Sequence, residues 1–152
     1  MKTRHVGYAV EDWGRGELVF ADRALVWHEL PAARAAADGA HPLAERVRAY
    51  FRGERDSFAD VELELDWCTD FQRAAVAAMR AIPYGETASY GEVAALAGHP
   101  NAQRAVGSVC AANRFALFVP CHRVVGAAGL GSYGSLGLAY KRRLLELEGV
   151  VL

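Results

Sequence analysis

Ser89-Tyr90-Gly91-Glu92-Val93-Ala94-Ala95-Leu96-Ala97-Gly98-His99-Pro100-Asn101-Ala102-Gln103-Arg104-Ala105-Val106-Gly107-Ser108-Val109-Cys110-Ala111-Ala112 reads as two short helices and the turn between them. Ser89 and Glu92 stand at capping-box spacing, where each side chain can satisfy the other's free backbone N–H. Gly98 ends that helix, and after His99-Pro100 the side chain of Asn101 can cap a second one running to about Ala112. Upstream, Asp70 can cap a helix with Phe71, Ala74, Ala75, Ala78, Met79 and Ile82 on one stripe, stopped by Pro83 and Tyr84-Gly85. Three helices, the last two joined by a glycine-containing turn, make a helix-turn-helix outline.

The last of these helices has two faces. Ala105, Val106, Val109 and Cys110 form an apolar one, and Arg104, Gly107, Ser108 and Ala111 recur on the opposite side at i, i+3, i+4 and i+7. A helix that reads base edges in the major groove normally carries long polar side chains. A stripe of small residues with one arginine instead lets the backbone approach closely, which suits a narrow, shallow or deformed groove. Close packing against another helix explains the same smallness.

Beyond this pair lies Phe118-Val119-Pro120-Cys121-His122-Arg123-Val124-Val125. Residues 115–119 read as a strand that Pro120, lacking an N–H, should end, leaving Cys121 and His122 at a turn, which tends to expose them rather than bury them. A thiol is a useful nucleophile only as thiolate, and a neighbouring imidazole is the usual means of taking its proton. A cysteine beside a histidine is nonetheless more often packing than chemistry. Gly126, Gly129, Gly131, Gly134 and Gly137 then punctuate a loop holding Ser132, Tyr133 and Ser135, whose backbone can approach a ligand. It lacks the lysine and Ser/Thr of a P-loop. Residues 141–149 read as a last helix, where Glu148 opposes the helix dipole and calls for a cationic or donor partner.

The first half is α/β in pattern. Residues 4–10, 16–21 and 24–28 read as short strands, 31–37 and 42–53 as helices, and the alternating residues 61–65 as a further strand. No catalytic set stands out in it. At 152 residues the chain suits one domain or two small ones. Three cysteines at wide spacing (Cys68, Cys110, Cys121) fit reduced thiols in a cytoplasm better than a disulfide framework, and no metal-ligand spacing is present. No apolar run approaches the roughly 20 residues of a membrane span. Residues 1–66 carry nine Lys/Arg against thirteen Asp/Glu, and residues 67–152 eight against five. That split suits a polyanion-binding module joined to an acidic partner domain, and equally a solvated basic face.

Phe71-Gln72, Ile82-Pro83-Tyr84-Gly85-Glu86-Thr87, Ser89-Tyr90-Gly91-Glu92, Arg104-Ala105-Val106-Gly107, Asn113, Pro120-Cys121-His122-Arg123-Val124 and the segment 141–148 resemble, block by block and in order, the O6-alkylguanine-DNA alkyltransferases. The resemblance covers about residues 67–150. It implies a fold of class α/β plus α: a small ribonuclease-H-like α/β domain over residues 1–66, then a winged-helix domain over 67–152 that binds DNA and transfers the alkyl group. It also implies irreversible transfer of an alkyl (methyl) group from guanine O6, and from thymine O4, in duplex DNA to Cys121 after the base is flipped out. In that scheme His122 takes the thiol proton through a water, Glu148 orients His122, and Asn113 braces the turn. Arg104 fills the space the base leaves, and Tyr90 crowds the 3′ phosphate and donates toward guanine N3. The Cys121 and Val124 carbonyls and the loop near Ser135 contact the base, while Gly107, Ser108 and Ala111 lie on the minor groove. The implied protein is a cytoplasmic monomer that acts once, needs no metal or organic cofactor and engages no membrane.

Two departures stand out. Tyr133 lies eight residues before Lys141, where the family spacing is seven, and Cys110 stands where the family has a larger apolar pocket wall. The second implies a roomier pocket. Two other readings explain parts of the chain. A non-catalytic winged-helix DNA-binding or lesion-sensing protein accounts for the helices and the charge but leaves Cys121, His122 and Glu148 without a task. A Cys-His hydrolase lacks an evident set of oxyanion donors.

Overall fold

The computed structural model describes residues 2–32 and 39–152. The chain divides into two compact units, Met1–Glu64 with Arg114–Ala116, and Leu65–Asn113 with Leu117–Leu152.

In the first unit, β1 (Thr3–Val10), β2 (Gly14–Ala21) and β3 (Ala24–Ala32) form an antiparallel sheet in sequence order. α1 (Pro42–Phe51) packs on β1 and buries Leu43, Ala44, Val47, Tyr50 and Phe51. Its N-terminus carries a proline in the first turn and His41 as cap, whose ring nitrogen accepts from the Leu43 N–H. Gly16 faces Tyr8 across the ladder, and a Cβ there would meet the Tyr8 hydroxyl at 2.5 Å, so the ring can lie over the strand only because the residue is glycine.

Several local expectations are corrected here. β3 runs on through Pro31 and Ala32, so the helix expected over 31–37 does not begin there, and the rest of that span lies outside the described residues. The strand expected at 61–65 reduces to one parallel bridge between Leu63 and Leu25. The β2–β3 register slips beside Leu25, and such an irregularity twists a strand edge away from a longer partner. The strand expected at 115–119 likewise shrinks to a bridge between Phe115 and His28, because Leu117 takes a left-handed φ of 80° that no strand continues through.

His28 is what that last bridge is built on. Its backbone N–H donates to the Arg114 carbonyl, and its Nδ1 lies 2.6 Å from the Ala116 carbonyl. A carbonyl only accepts, so Nδ1 carries the proton and Nε2 takes the Tyr8 hydroxyl at 2.6 Å. Burial pushes the imidazole down to about pH 4, against 6.5 for a free ring.

The second unit holds α2 (Asp70–Arg80), α3 (Tyr90–Leu96), α4 (Gln103–Ala111) and α5 (Gly137–Leu147), with a two-stranded parallel pair, β4 (Ala88–Ser89) and β5 (Val124–Val125). α2, α3 and α4 pack on one another, burying Ala75, Met79, Val93, Ala94 and Val106. Ser89 and Glu92 make a complete capping box, with bonds of 3.0 and 2.9 Å. α2 is capped by Thr69 rather than Asp70, because Thr69 and Gln72 close their own box and leave Asp70 in the first turn, where its charge suits the dipole. Asn101 does not cap α4: it sits at φ 72°, a turn conformation asparagine tolerates, and Ala102 holds the cap position without a side-chain bond. The apolar side of α4 is narrower than its pattern suggests, with Val106 buried, Val109 and Cys110 half-buried and Ala105 exposed. α5 starts four residues earlier than expected and ends with Glu148 as its C-cap. No helix among the described residues is long and apolar enough to cross a membrane.

Between about pH 4 and 6.5 the unfolded chain binds a proton at His28 that the folded one refuses, so stability falls as pH drops through that window. The full loss is about 3 kcal/mol. Urea unfolding of the wild type and His28→Gln across these pH values should show a steeper acid decline in the wild type; parallel slopes would rule out this role for His28.

Candidate active site

Pro120 turns the chain into a 3-10 turn, Cys121–Arg123, whose three side chains are all buried and not exposed as a turn suggests, because Asn113 and Glu148 close over Cys121 and His122. β5 follows at once and pairs with β4 in the register Ala88↔Val124 and Ser89↔Val125. That pairing ties the turn to Ser89, the residue that caps α3, and so places Cys121 and Tyr90 on connected backbone. Asn113 closes the other side: its Nδ2 donates to the Val119 carbonyl at 2.9 Å and to Cys121 Sγ at 3.2 Å.

A single carboxylate gathers the rest. Glu148 Oε2 accepts from His122 Nε2 at 2.8 Å and from an Arg123 terminal nitrogen at 2.9 Å. Its Oε1 accepts from Arg123 Nε at 2.9 Å and from the Gly85 backbone N–H at 3.1 Å. Arg123 also donates to the Ile82 carbonyl at 2.8 Å and lies over the Tyr84 ring. Burial by itself would raise the Glu148 pKa, but the bonds from His122 and Arg123 hold it well below the carboxylate range. For His122 burial dominates and lowers the pKa, only partly offset by Glu148. Arg123 is thus the cation that neutralises Glu148, and His122 remains a neutral imidazole donating through Nε2. Its Nδ1 is then a lone-pair acceptor, and it finds no protein partner among the described residues.

Burial pushes the Cys121 thiol above its ordinary value, against the pull of the Asn113 hydrogen bond and the Lys141 charge. The resting sulfur is therefore protonated at neutral pH and needs a base. Cys110, half-buried against Met79 Sδ at 3.6 Å, is pushed up to about 12, chiefly by burial.

Tyr90, Arg104, Gly107, Ser108 and Ala111 line one open groove of about 660 Å³, together with Gln103 and Ser132. A Cβ added at Gly107 would meet nothing within 4 Å, so no neighbouring helix requires the small residue there. Gly131, by contrast, lies against the Tyr90 ring: an added Cβ would come within 2.8 Å of the hydroxyl, at a φ of 83° that already favours glycine. Val124 offers its carbonyl to Lys141 Nζ at 2.6 Å. Ser135 is exposed in the 3-10 turn Gly134–Leu136 and does not line the groove; Ser132 does. Arg123, Gly85 and Lys141 hold the site together without standing out in the sequence as site residues. The need of Glu148 for a cationic partner at the end of its helix is the sequence signal that points to Arg123.

The family model described as "6-O-methylguanine DNA methyltransferase, DNA binding domain" matches residues 70–150. A methylated-DNA–protein-cysteine methyltransferase of Mycobacterium tuberculosis is 53% identical over 105 residues, which cover 68% of this chain and 62% of the relative. The protein of that name from Mycolicibacterium paratuberculosis is 49% identical over 123 residues, 80% of this chain and 69% of the relative. The crystal structure of the M. tuberculosis O6-methylguanine methyltransferase superposes with a TM-score of 0.83 at 36% identity, covering 97% of this chain and 93% of that one. The M. tuberculosis OGT in complex with DNA gives 0.78 at 37%, over 95% and 92%.

Arg123→Met leaves Glu148 as a buried carboxylate short of its charge partner. Urea unfolding should show a loss of about 3–5 kcal/mol, and His122, now the sole cationic candidate, should protonate at higher pH in an NMR titration. Unchanged stability together with an unchanged His122 titration would contradict the division of roles between the two.

Proposed function

The chain belongs to the 6-O-methylguanine DNA methyltransferase family, and from that premise we propose that it repairs duplex DNA by moving an alkyl group from guanine O6 to its own Cys121. Transfer from thymine O4 belongs to the same reading. The observation that carries it is the 2.8 Å contact of His122 Nε2 with Glu148, which leaves Nδ1 unpartnered in the residue next to the buried thiol.

The target base must leave the stack to be reached. α4 enters the minor groove with Gly107, Ser108 and Ala111 against the backbone, and Arg104 occupies the space left in the duplex. Tyr90, on the wall of the same groove, crowds the 3′ phosphate. His122 Nδ1 takes the Cys121 proton through a water, and the imidazolium so formed is stabilised by Glu148. The sulfur then bonds to the alkyl carbon as the carbon–O6 bond breaks, and the electron pair passes to the purine. Guanine accepts a proton at N3 from the Tyr90 hydroxyl, which regains one from solvent. A thioether does not leave again under mild conditions, so each molecule acts once. The Val124 carbonyl keeps one lone pair for the exocyclic amine beside its bond to Lys141, and the loop holding Ser132 and Ser135 donates to O6. The unit led by β1–β3 is the ribonuclease-H-like scaffold, the unit led by α2–α4 the winged helix, and the protein works as a monomer.

Intact-protein mass analysis after incubation with a duplex carrying O6-methylguanine should show one methyl per molecule, mapped to Cys121 and absent in Cys121→Ser. An unmodified protein that still binds the duplex would favour a lesion-sensing role instead. Gly107→Leu should weaken duplex binding at least about tenfold while the urea midpoint stays or rises, since glycine costs a helix interior about 0.5–1 kcal/mol. Wild-type affinity in that variant would remove α4 from the interface.

A further inference from the structure

Lys141 has no place in the chemistry above, yet it is fully buried. Its Nζ donates to the Val124 carbonyl at 2.6 Å and to the Ser132 carbonyl at 3.2 Å, and stands 5.9 Å from the centre of the Tyr90 ring. Carbonyls and a ring face solvate an ammonium without neutralising it, and among the described residues no carboxylate pairs with it. A charge buried this way is held at a cost that a nearby anion would relieve. Burial does hold Lys141 below its ordinary pKa, and the groups that act against burial are two sulfurs, Cys121 and Cys110. Cys110 is pushed up to about 12 and stays a thiol at neutral pH. That leaves Cys121.

We propose that Lys141 is the buried counter-charge of the Cys121 thiolate, holding the sulfur anionic between loss of its proton to His122 and its attack on the alkyl carbon. The proposal rests on Cys121 being the alkyl acceptor. Lys141 keeps its own proton throughout and touches no reacting atom, so it is a positioning residue that acts through the sulfur. Its two carbonyl contacts fix the charge to the strand that follows the Cys121 turn and to the loop over Tyr90, so the field at the sulfur is set before DNA arrives. The other titratable groups that share electrostatic contact with this sulfur are Tyr90, Cys110 and Tyr133, none charged at neutral pH, and His122 feels the same ammonium.

The test needs no DNA. The rate at which iodoacetamide alkylates Cys121, read by mass on its peptide across pH, reports the thiolate. In Lys141→Met the midpoint of that profile should move to higher pH, with neutral-pH rate falling about tenfold for each pH unit moved. Coupling is reciprocal, so capping Cys121 with iodoacetamide in the wild type should lower the pH at which Lys141 titrates, followed by ¹³Cε NMR, by a comparable amount. A merely structural lysine would move neither. A folded Lys141→Met with the wild-type midpoint, or a Lys141 titration indifferent to capping, overturns the proposal, and the second arm decides if the variant does not fold. Coupling observed in a protein that takes no methyl from duplex DNA would sink the alkyl-acceptor reading alone.

Discussion

One carboxylate holds the segments around Cys121 together. Glu148 ends α5, and its two oxygens accept from His122, twice from Arg123, and from the backbone of Gly85 in the turn that follows α2. Two segments far from α5 and from each other in sequence are pinned to one buried anion, and each contact supplies a donor that burial makes costly to lose. The 3-10 turn carrying Cys121 is therefore held from behind by Glu148 and from in front by Asn113.

Two cations could in principle serve that anion, and the choice sets the chemistry. With Arg123 forked across both oxygens, the charge is met without a proton on His122, and burial keeps the ring neutral. Were His122 the counter-ion it would be an imidazolium, with no lone pair left to take a proton. The buried sulfur is weakly acidic for the same reason the ring is weakly basic: neither charge is welcome there until the other forms. Under the proposed transfer, such a site would be quiet at rest and reactive only once a substrate completes it.

Much of this was legible in the residues. The Ser89–Glu92 box and the α2 stripe follow from local rules, because helix caps and apolar periodicity involve few residues at fixed spacing. What escaped was settled by distant partners. Arg123 reads as one more charge in a basic stretch until Glu148, 25 residues on, is seen to meet it. Residues 141–149 read as a helix that Lys141 opens, whereas α5 begins at Gly137 and Lys141 is buried within it. The strands expected at 61–65 and 115–119 had the right composition, but a register slip beside Leu25 and the left-handed Leu117 limited each to a single bridge. The small stripe of α4 was ambiguous on paper, and open space around Gly107 excludes helix packing as its cause.

The division of labour at Glu148 is most directly tested by the tautomer and charge of His122 in the resting protein. Two-bond ¹⁵N–¹H correlation spectra at neutral pH should show a neutral ring protonated at Nε2, with Nδ1 bare. A ring protonated at both nitrogens, or at Nδ1 alone, would mean that His122 cannot accept the Cys121 proton as it stands, and would contradict the account.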